Sequence, residues 1–258
     1  MDAVDWSALL AVALAAGWLD AVVGGGGLVQ VPALMVLLPT APVATLLGTN
    51  KLVTITGTSS AAVTYARRVG LDGPSAARAA LIGIPSSLLG ALTATYLPET
   101  VFVPAVLTTL LAVGAWAAAS APAGRGPAGI PAPGPRSRVP GKRALAAVAA
   151  IGYYSGAIGS GTGVLLVALF TATLGTGFLK GSATAKAVSI GTDLGALALF
   201  ACLGHVLWAT GAAMCLANIT GGAIGARTAI TRGAGFVRAA LLCTVTALVV
   251  KLALDHWA

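Results

Sequence analysis

An apolar run on the scale of a membrane crossing is cut by four consecutive glycines, and this break restricts the fold more than any other feature of the chain. The stretch from Gly17 to Lys51 reads GWLDAVVGGGGLVQVPALMVLLPTAPVATLLGTNK. Residues 7–23 are apolar with Asp20 near their end, Gly24, Gly25, Gly26 and Gly27 interrupt them, and residues 28–38 resume the run. Glycine is costly inside a helix and admits turn conformations. The second piece is too short to span a bilayer, which takes about 20 helical residues. The pair therefore reads as a discontinuous helix or a re-entrant hairpin. Irregular backbone is tolerated at membrane depth only where it faces protein or a water-filled cavity.

Much of this recurs 135 positions later: Gly152 answers Gly17, Gly159 answers Gly24, Gly161 answers Gly26, Thr184 answers Thr49 and Lys186 answers Lys51. The second break reads Gly159-Ser160-Gly161-Thr162-Gly163, between apolar residues 144–158 and a short run at 164–174. The chain thus reads as an internal duplication, with a first transmembrane repeat over 1–119 and a second over 144–258. Between them, residues 120–143 hold six prolines and the basic residues Arg125, Arg136, Arg138, Lys142 and Arg143, a composition expected of an extended cytoplasmic linker.

Composition agrees with a membrane setting. Hydrophobic residues make up 57% and charged residues 9% of the chain, where a soluble domain carries roughly a quarter charged residues. Further apolar segments at 43–65, 75–96, 101–119, 181–203, 206–227 and 235–254 are each long enough to cross. Their polarity does not alternate, so a polytopic all-α protein is expected rather than a barrel. The net charge of +8 does not point to nucleic acid, because the basic residues stand at the ends of apolar segments. The N-terminus, MDAVDW, is acidic where a cleavable signal needs Lys or Arg, so the first segment is expected to stay. Cys202, Cys215 and Cys243 lie singly, without metal-ligand or redox spacing.

If each glycine-broken pair starts and ends on one side, each repeat has three full crossings and the two repeats lie inverted. Arg67, Arg68, Arg78, the linker, Lys180, Arg227 and Arg232 then fall on one side, and Asp2, Asp5, Glu99 and His205 on the other, with both termini outside. That separation follows the positive-inside rule. Counting each broken pair as one crossing gives eight crossings with both termini inside, and places Arg227 and Arg232 outside, against the rule.

The candidate site follows from the breaks. A half-helix that starts at mid-membrane presents unpaired N–H groups and the positive end of its dipole, which suits an anion. Lys51 and Lys186 lie inside apolar segments, where an unpaired lysine costs on the order of 3 kcal/mol or more. Snorkelling to the near interface is the other reading of both lysines. Asp20 and Asp193 are the natural partners; the four charges sum to zero, and protonating both acids would leave a site for a divalent anion, which makes them the proton-coupling candidates. Positions 51, 54, 55, 58 and 59 share one helix face. Hydroxyls at Thr49, Thr54, Thr58, Thr162, Thr184 and Ser189 are candidates to line the cavity, although such groups often bond the carbonyl one turn back. Gln30 and Asn50 are hard to hide in lipid. His205 and Trp208 read as a structural histidine and an interfacial anchor. Nothing resembles a nucleophile elbow, HExxH, P-loop or redox cysteine pair, so neither an enzyme nor a cofactor or metal site is expected.

The strings GGGG followed by VPAL and LGTNKLVTITGTSSAAVTYARR resemble the first repeat of the TauE/SafE sulfite-exporter family. YYSGAIGSGTGVLLVALF, ATAKAVSIGTDLGALALFACLGHVLWATGAAM and GGAIGARTA resemble the second repeat of its YfcA-like branch. The resemblance covers nearly the whole chain apart from the linker. Two positions depart from the family pattern: Ser155 stands where an acid is common, and Asp193 where an asparagine is common. The resemblance implies a secondary transporter of sulfite, organosulfonates or related sulfur-containing anions in the inner membrane of a bacterium, usually acting outward. On that reading the partners are the lipid bilayer and a small sulfur-containing anion, with pairing into a homodimer left open. Two other classes remain: a passive anion channel, and a membrane assembly subunit in which the repeats only pack.

Overall fold

The computed structural model describes residues 3–96, Thr108, 141–159, 161–174 and 178–257. The expected crossing at 101–119, nearly all of the linker and Ser160 lie outside the described residues. Eight helices carry the described chain: α1 (Ala3–Val23), α2 (Gly26–Leu37), α3 (Val43–Val69), α4 (Gly73–Tyr96), α5 (Lys142–Ala157), α6 (Thr162–Leu174), α7 (Phe178–Cys202) and α8 (Trp208–Trp257). The basic pair Lys142 and Arg143, expected in the linker, opens α5 instead, after an extended Gly141. The two last expected segments form one long element, α8, interrupted where Gly233 leaves helical geometry at φ 72°.

The two breaks are built alike. Gly24 adopts φ 89° and its N–H bonds the Asp20 carbonyl at 2.8 Å, which closes α1. Gly159, 135 positions on, adopts φ 80° and bonds the Tyr154 carbonyl at 3.3 Å beyond the end of α5. A left-handed residue at a helix end is the usual place for glycine, because a side chain there meets its own backbone. The break is narrower than the four glycines suggest. Gly26 and Gly27 are the first residues of α2, and Gly163 lies within α6. Gly26 is small for a different reason: a β-carbon there would stand 2.7 Å from that of Asp20.

Three helices are long and apolar enough to cross a membrane among the described residues, within Val4–Val23, Gly73–Tyr96 and Leu179–Cys202. Leu81, Leu216 and Val36 are 76%, 71% and 69% exposed, while Thr49, Asn50, Lys51 and Thr58 on α3 are at most 2% exposed. Apolar side chains outside and polar ones inside is the arrangement a lipid solvent favours. The basic residues Arg67, Arg68, Arg78, Arg227 and Arg232 are exposed.

Helix packing repeats with the 135-residue offset. α1 lies along α8 as α5 lies along α4, α3 packs on α8 as α7 packs on α4, and α2 meets α3 as α6 meets α7. Individual contacts correspond as well. Gly225 sits against the Trp18 carbonyl and Gly90 against the Tyr153 carbonyl; Gly17 sits against Asn218 and Gly152 against Gly83. In each case the second contact joins positions 135 residues from those of the first. Small residues at these crossings let backbones approach closely, the usual basis of helix association in lipid. α3 and α7 also pack on each other, so the two lysine-bearing helices are neighbours.

Candidate functional site

Among the described residues, four charged side chains are buried, Asp20, Lys51, Lys186 and Asp193, and they pair with one another. The pairing is crossed. Lys51 on α3 meets Asp193 on α7 at 2.6 Å, and Lys186 on α7 meets Asp20 on α1 at 2.7 Å. Lys51 also donates to the Ser155 hydroxyl at 3.0 Å, and Lys186 to the Asp20 backbone carbonyl. Thr58 donates to the Asp20 carboxylate at 2.9 Å. Each lysine is thus held inward by a carboxylate and further oxygens, rather than reaching for an interface.

The breaks themselves touch. A β-carbon at Gly24 would stand 2.5 Å from the Gly163 carbonyl carbon, and one at Gly163 would stand 2.5 Å from the Gly24 oxygen. The starts of α2 and α6 therefore converge, and a crevice lies where they meet. Its walls include Asp20, Gly24, Gly27, Thr54 and Thr58 from the first four helices, and Gly159, Gly161, Thr162, Gly163, Ser189 and Asp193 from the second. The space among them is about 300 Å³, counting its open mouth. Lys51 reaches its edge: a β-carbon on Gly159 would be 3.7 Å from the Lys51 ammonium nitrogen.

Thr162 Oγ1 and Ser189 Oγ line this crevice, are buried, and have no hydrogen-bond partner among the described residues. Buried hydroxyls are normally satisfied, so two such groups facing one crevice, without a partner among the described residues, suit a ligand bound there. Two helix N-termini and two hydroxyls face the crevice as potential donors to an oxyanion, and the carboxylates of Asp20 and Asp193 that line it are each neutralised by a lysine.

The structure brings together Asp20, Lys51, Thr58, Lys186 and Asp193 with Gly24, Gly27, Gly159, Gly161, Thr162, Gly163 and Ser189. Gly25 stands at the start of α2 and Gly26 packs on α1. Four sequence candidates fall elsewhere. Thr49 donates to the Thr45 carbonyl at 2.7 Å and accepts the Leu207 N–H at 3.0 Å, tying α3 to the start of α8. Gln30 accepts a bond from Asn218 at 3.3 Å, and Asn50 is buried with its Oδ1 unpartnered among the described residues. Thr184 bonds the Lys180 carbonyl one turn back. Sequence reasoning did not place Ser155 with Lys51, although Ser155 stands 135 positions after Asp20 and that offset was the available signal. Asn218, which also donates to the Ala13 carbonyl at 2.7 Å, carried no such signal.

A helical membrane protein with interrupted helices around a polar, charge-balanced crevice is the architecture of a membrane transporter. Comparison with known proteins gives the particular family: residues 9–252 match the family described as Sulfite exporter TauE/SafE, and the chain belongs to it. Among its relatives, the probable membrane transporter protein ORF9 of Sinorhizobium is 33% identical over 96% of this chain and 92% of its own length. The probable membrane transporter protein YfcA of Escherichia coli K12 is 28% identical over 96% of this chain and 92% of its own. A probable membrane transporter protein of Haemophilus influenzae is 28% identical over 96% and 94%. No solved structure gives a significant match.

Proposed function

We propose that this protein is a secondary transporter that exports sulfite, an organosulfonate or a related small sulfur-containing anion across the inner membrane of a bacterium. The observation that carries the reading is the crevice at the meeting of the two helix breaks, where Thr162 and Ser189 present hydroxyls without a partner among the described residues, near lysines held by carboxylates. The anion docks against the starts of α2 and α6, and Lys51 and Lys186 supply the balancing charge. Asp20 and Asp193 release the lysines when protonated, which couples anion movement to protons. The two sets of four helices are inverted repeats with the termini outside, and alternating access arises as one repeat rocks against the other around the crevice, a recurring transporter design.

Counterflow tests the reading. Purified protein is reconstituted in liposomes preloaded with unlabelled sulfite, and tracer sulfite is added outside. A carrier accumulates tracer transiently above equilibrium; a passive channel equilibrates without overshoot. Sulfoacetate and thiosulfate as competitors rank the substrates. Absence of flux for every sulfur anion tried would overturn the proposed substrate class.

A further inference from the structure

Taking the 135-residue offset through the ion pairs exposes an exchange. Asp20 corresponds to Ser155, Lys51 to Lys186, and Thr58 to Asp193. The first cluster holds Lys186 with the acid Asp20 and the hydroxyl of Thr58; the second holds Lys51 with the acid Asp193 and the hydroxyl of Ser155. Both clusters contain one lysine, one acid and one hydroxyl. In the first, the acid stands on α1 and the hydroxyl on α3; in the second, the hydroxyl stands on α5 and the acid on α7. Since α1 matches α5 and α3 matches α7 in the packing, acid and hydroxyl have traded places.

One feature of the local bonding is kept across the exchange, a carboxylate oxygen shared by lysine and hydroxyl, although Lys51 also donates to its hydroxyl, Ser155, and Lys186 donates instead to the Asp20 backbone carbonyl. In the first cluster a single carboxylate oxygen, Asp20 Oδ2, takes both the lysine at 2.7 Å and the hydroxyl at 2.9 Å. In the second, Asp193 Oδ1 takes the lysine at 2.6 Å and the Ser155 hydroxyl at 3.4 Å. All six side chains are buried. A buried lysine responds to the charge and hydrogen bonds within its reach, and either backbone position puts an oxygen within reach of its ammonium.

We propose that Ser155 and Asp193 together form a positioning pair equivalent to Asp20 and Thr58, in which the lysine requires one carboxylate and one hydroxyl but accepts the carboxylate from either position. The two clusters are then two copies of one lysine-carboxylate gate on the crevice, and Ser155 belongs to the anion machinery although it carries no charge. The inference deepens the transport reading and rests on it for the role of the gate, while the exchange itself is tested independently of transport.

The test is a mutant cycle on the full-length protein: Ser155→Asp, Asp193→Thr and the double variant, each read by thermal stability in detergent and by the pH profile of sulfite flux in liposomes. Ser155→Asp crowds two acids around Lys51, and Asp193→Thr leaves Lys51 without an acid, so each single variant loses stability and flux. The double variant rebuilds the first cluster's arrangement and is expected to recover about half or more of the lost Tm, with flux above both single variants and a pH profile of wild-type shape. The mirror cycle, Asp20→Ser with Thr58→Asp, provides a second chance should the first double variant fail to fold. Double variants in both cycles no more stable than the weaker single would overturn the exchange. Recovered Tm with a pH profile unlike wild type would overturn the gate. Were wild type itself to carry no sulfite, the failure would belong to the substrate reading, and the Tm cycle alone would decide the exchange.

Discussion

The Lys51 ammonium lies 2.6 Å from the Asp193 carboxylate although 142 residues separate them in the chain. The bond ties α3 to α7, and its counterpart from Lys186 to Asp20 ties α7 back to α1. Each lysine therefore depends on an acid from the other set of helices. Any motion that parts the two sets has to release both lysines, which links movement of the helices to the charge state of the crevice.

Removing one member of a buried pair strands the other, at a cost of about 3–5 kcal/mol. Asp193→Ala is expected to lower the apparent Tm by about 10 °C. Replacing the pair together, as Lys51→Met with Asp193→Leu, is expected to return most of that stability while transport stays lost, because apolar side chains substitute for a buried ion pair in packing but not in charge. Scanning fluorimetry beside flux separates the two effects. Transport surviving in the paired variant would show that the ion pair serves folding only.

Gly24 has both a left-handed backbone and the Gly163 carbonyl carbon 2.5 Å from where a β-carbon would stand. Gly24→Ala is expected to abolish recovery of folded protein. Gly73→Ala, at the exposed start of α4 with nothing within 4 Å of the added carbon, is expected to leave Tm within about 2 °C of wild type. Monodispersity on size-exclusion chromatography and Tm read both outcomes. Normal folding of the Gly24 variant would contradict the close meeting of the two breaks.

The hydroxyls of Thr162 and Ser189 have no partner among the described residues, so their loss costs no hydrogen bond to those residues. Thr162→Val and Ser189→Ala are each expected to leave Tm unchanged and to raise the KM for the transported anion about tenfold or more, the value of a hydrogen bond to a charged group. Ser87→Ala removes another buried hydroxyl without a partner among the described residues, one that does not line the crevice, and is expected to change neither quantity. Equal effects from all three would remove the reason for placing the anion here.

The inverted arrangement predicts one sidedness for two distant arginines. With Cys202, Cys215 and Cys243 replaced, Arg68→Cys and Arg227→Cys are both expected to escape a membrane-impermeant maleimide applied to intact cells and to react once the cytoplasmic face is opened. Both positions are exposed to a reagent. Labelling of position 227 in intact cells would support the eight-crossing arrangement instead.

Charge made the heart of the site legible in the sequence. A lysine or aspartate within an apolar run is expensive enough that its presence alone marks it, so Asp20, Lys51, Lys186 and Asp193 stood out. Their pairing did not, because two lysines and two acids can be matched in two ways and no spacing decides between them. The glycine breaks were located within two residues; Gly26 and Gly27 are already helical, and at Gly26 the approach of α1, invisible in composition, leaves no room for a side chain. Thr49 and Thr58 are the same residue on the same helix, but nine positions at 100° each turn them about 180° apart. Only Thr58 faces the crevice, and the helical phase that groups it with Lys51 could have excluded Thr49.

Flux of labelled sulfite in liposomes under two pH gradients, with wild type beside Lys51→Ala and Lys186→Ala, tests the central claim most directly. The account predicts saturable wild-type flux that follows the proton gradient and is lost in both lysine variants. Flux at the wild-type rate in both variants would contradict it, because the two buried ammonium groups would then have no part in carrying the anion.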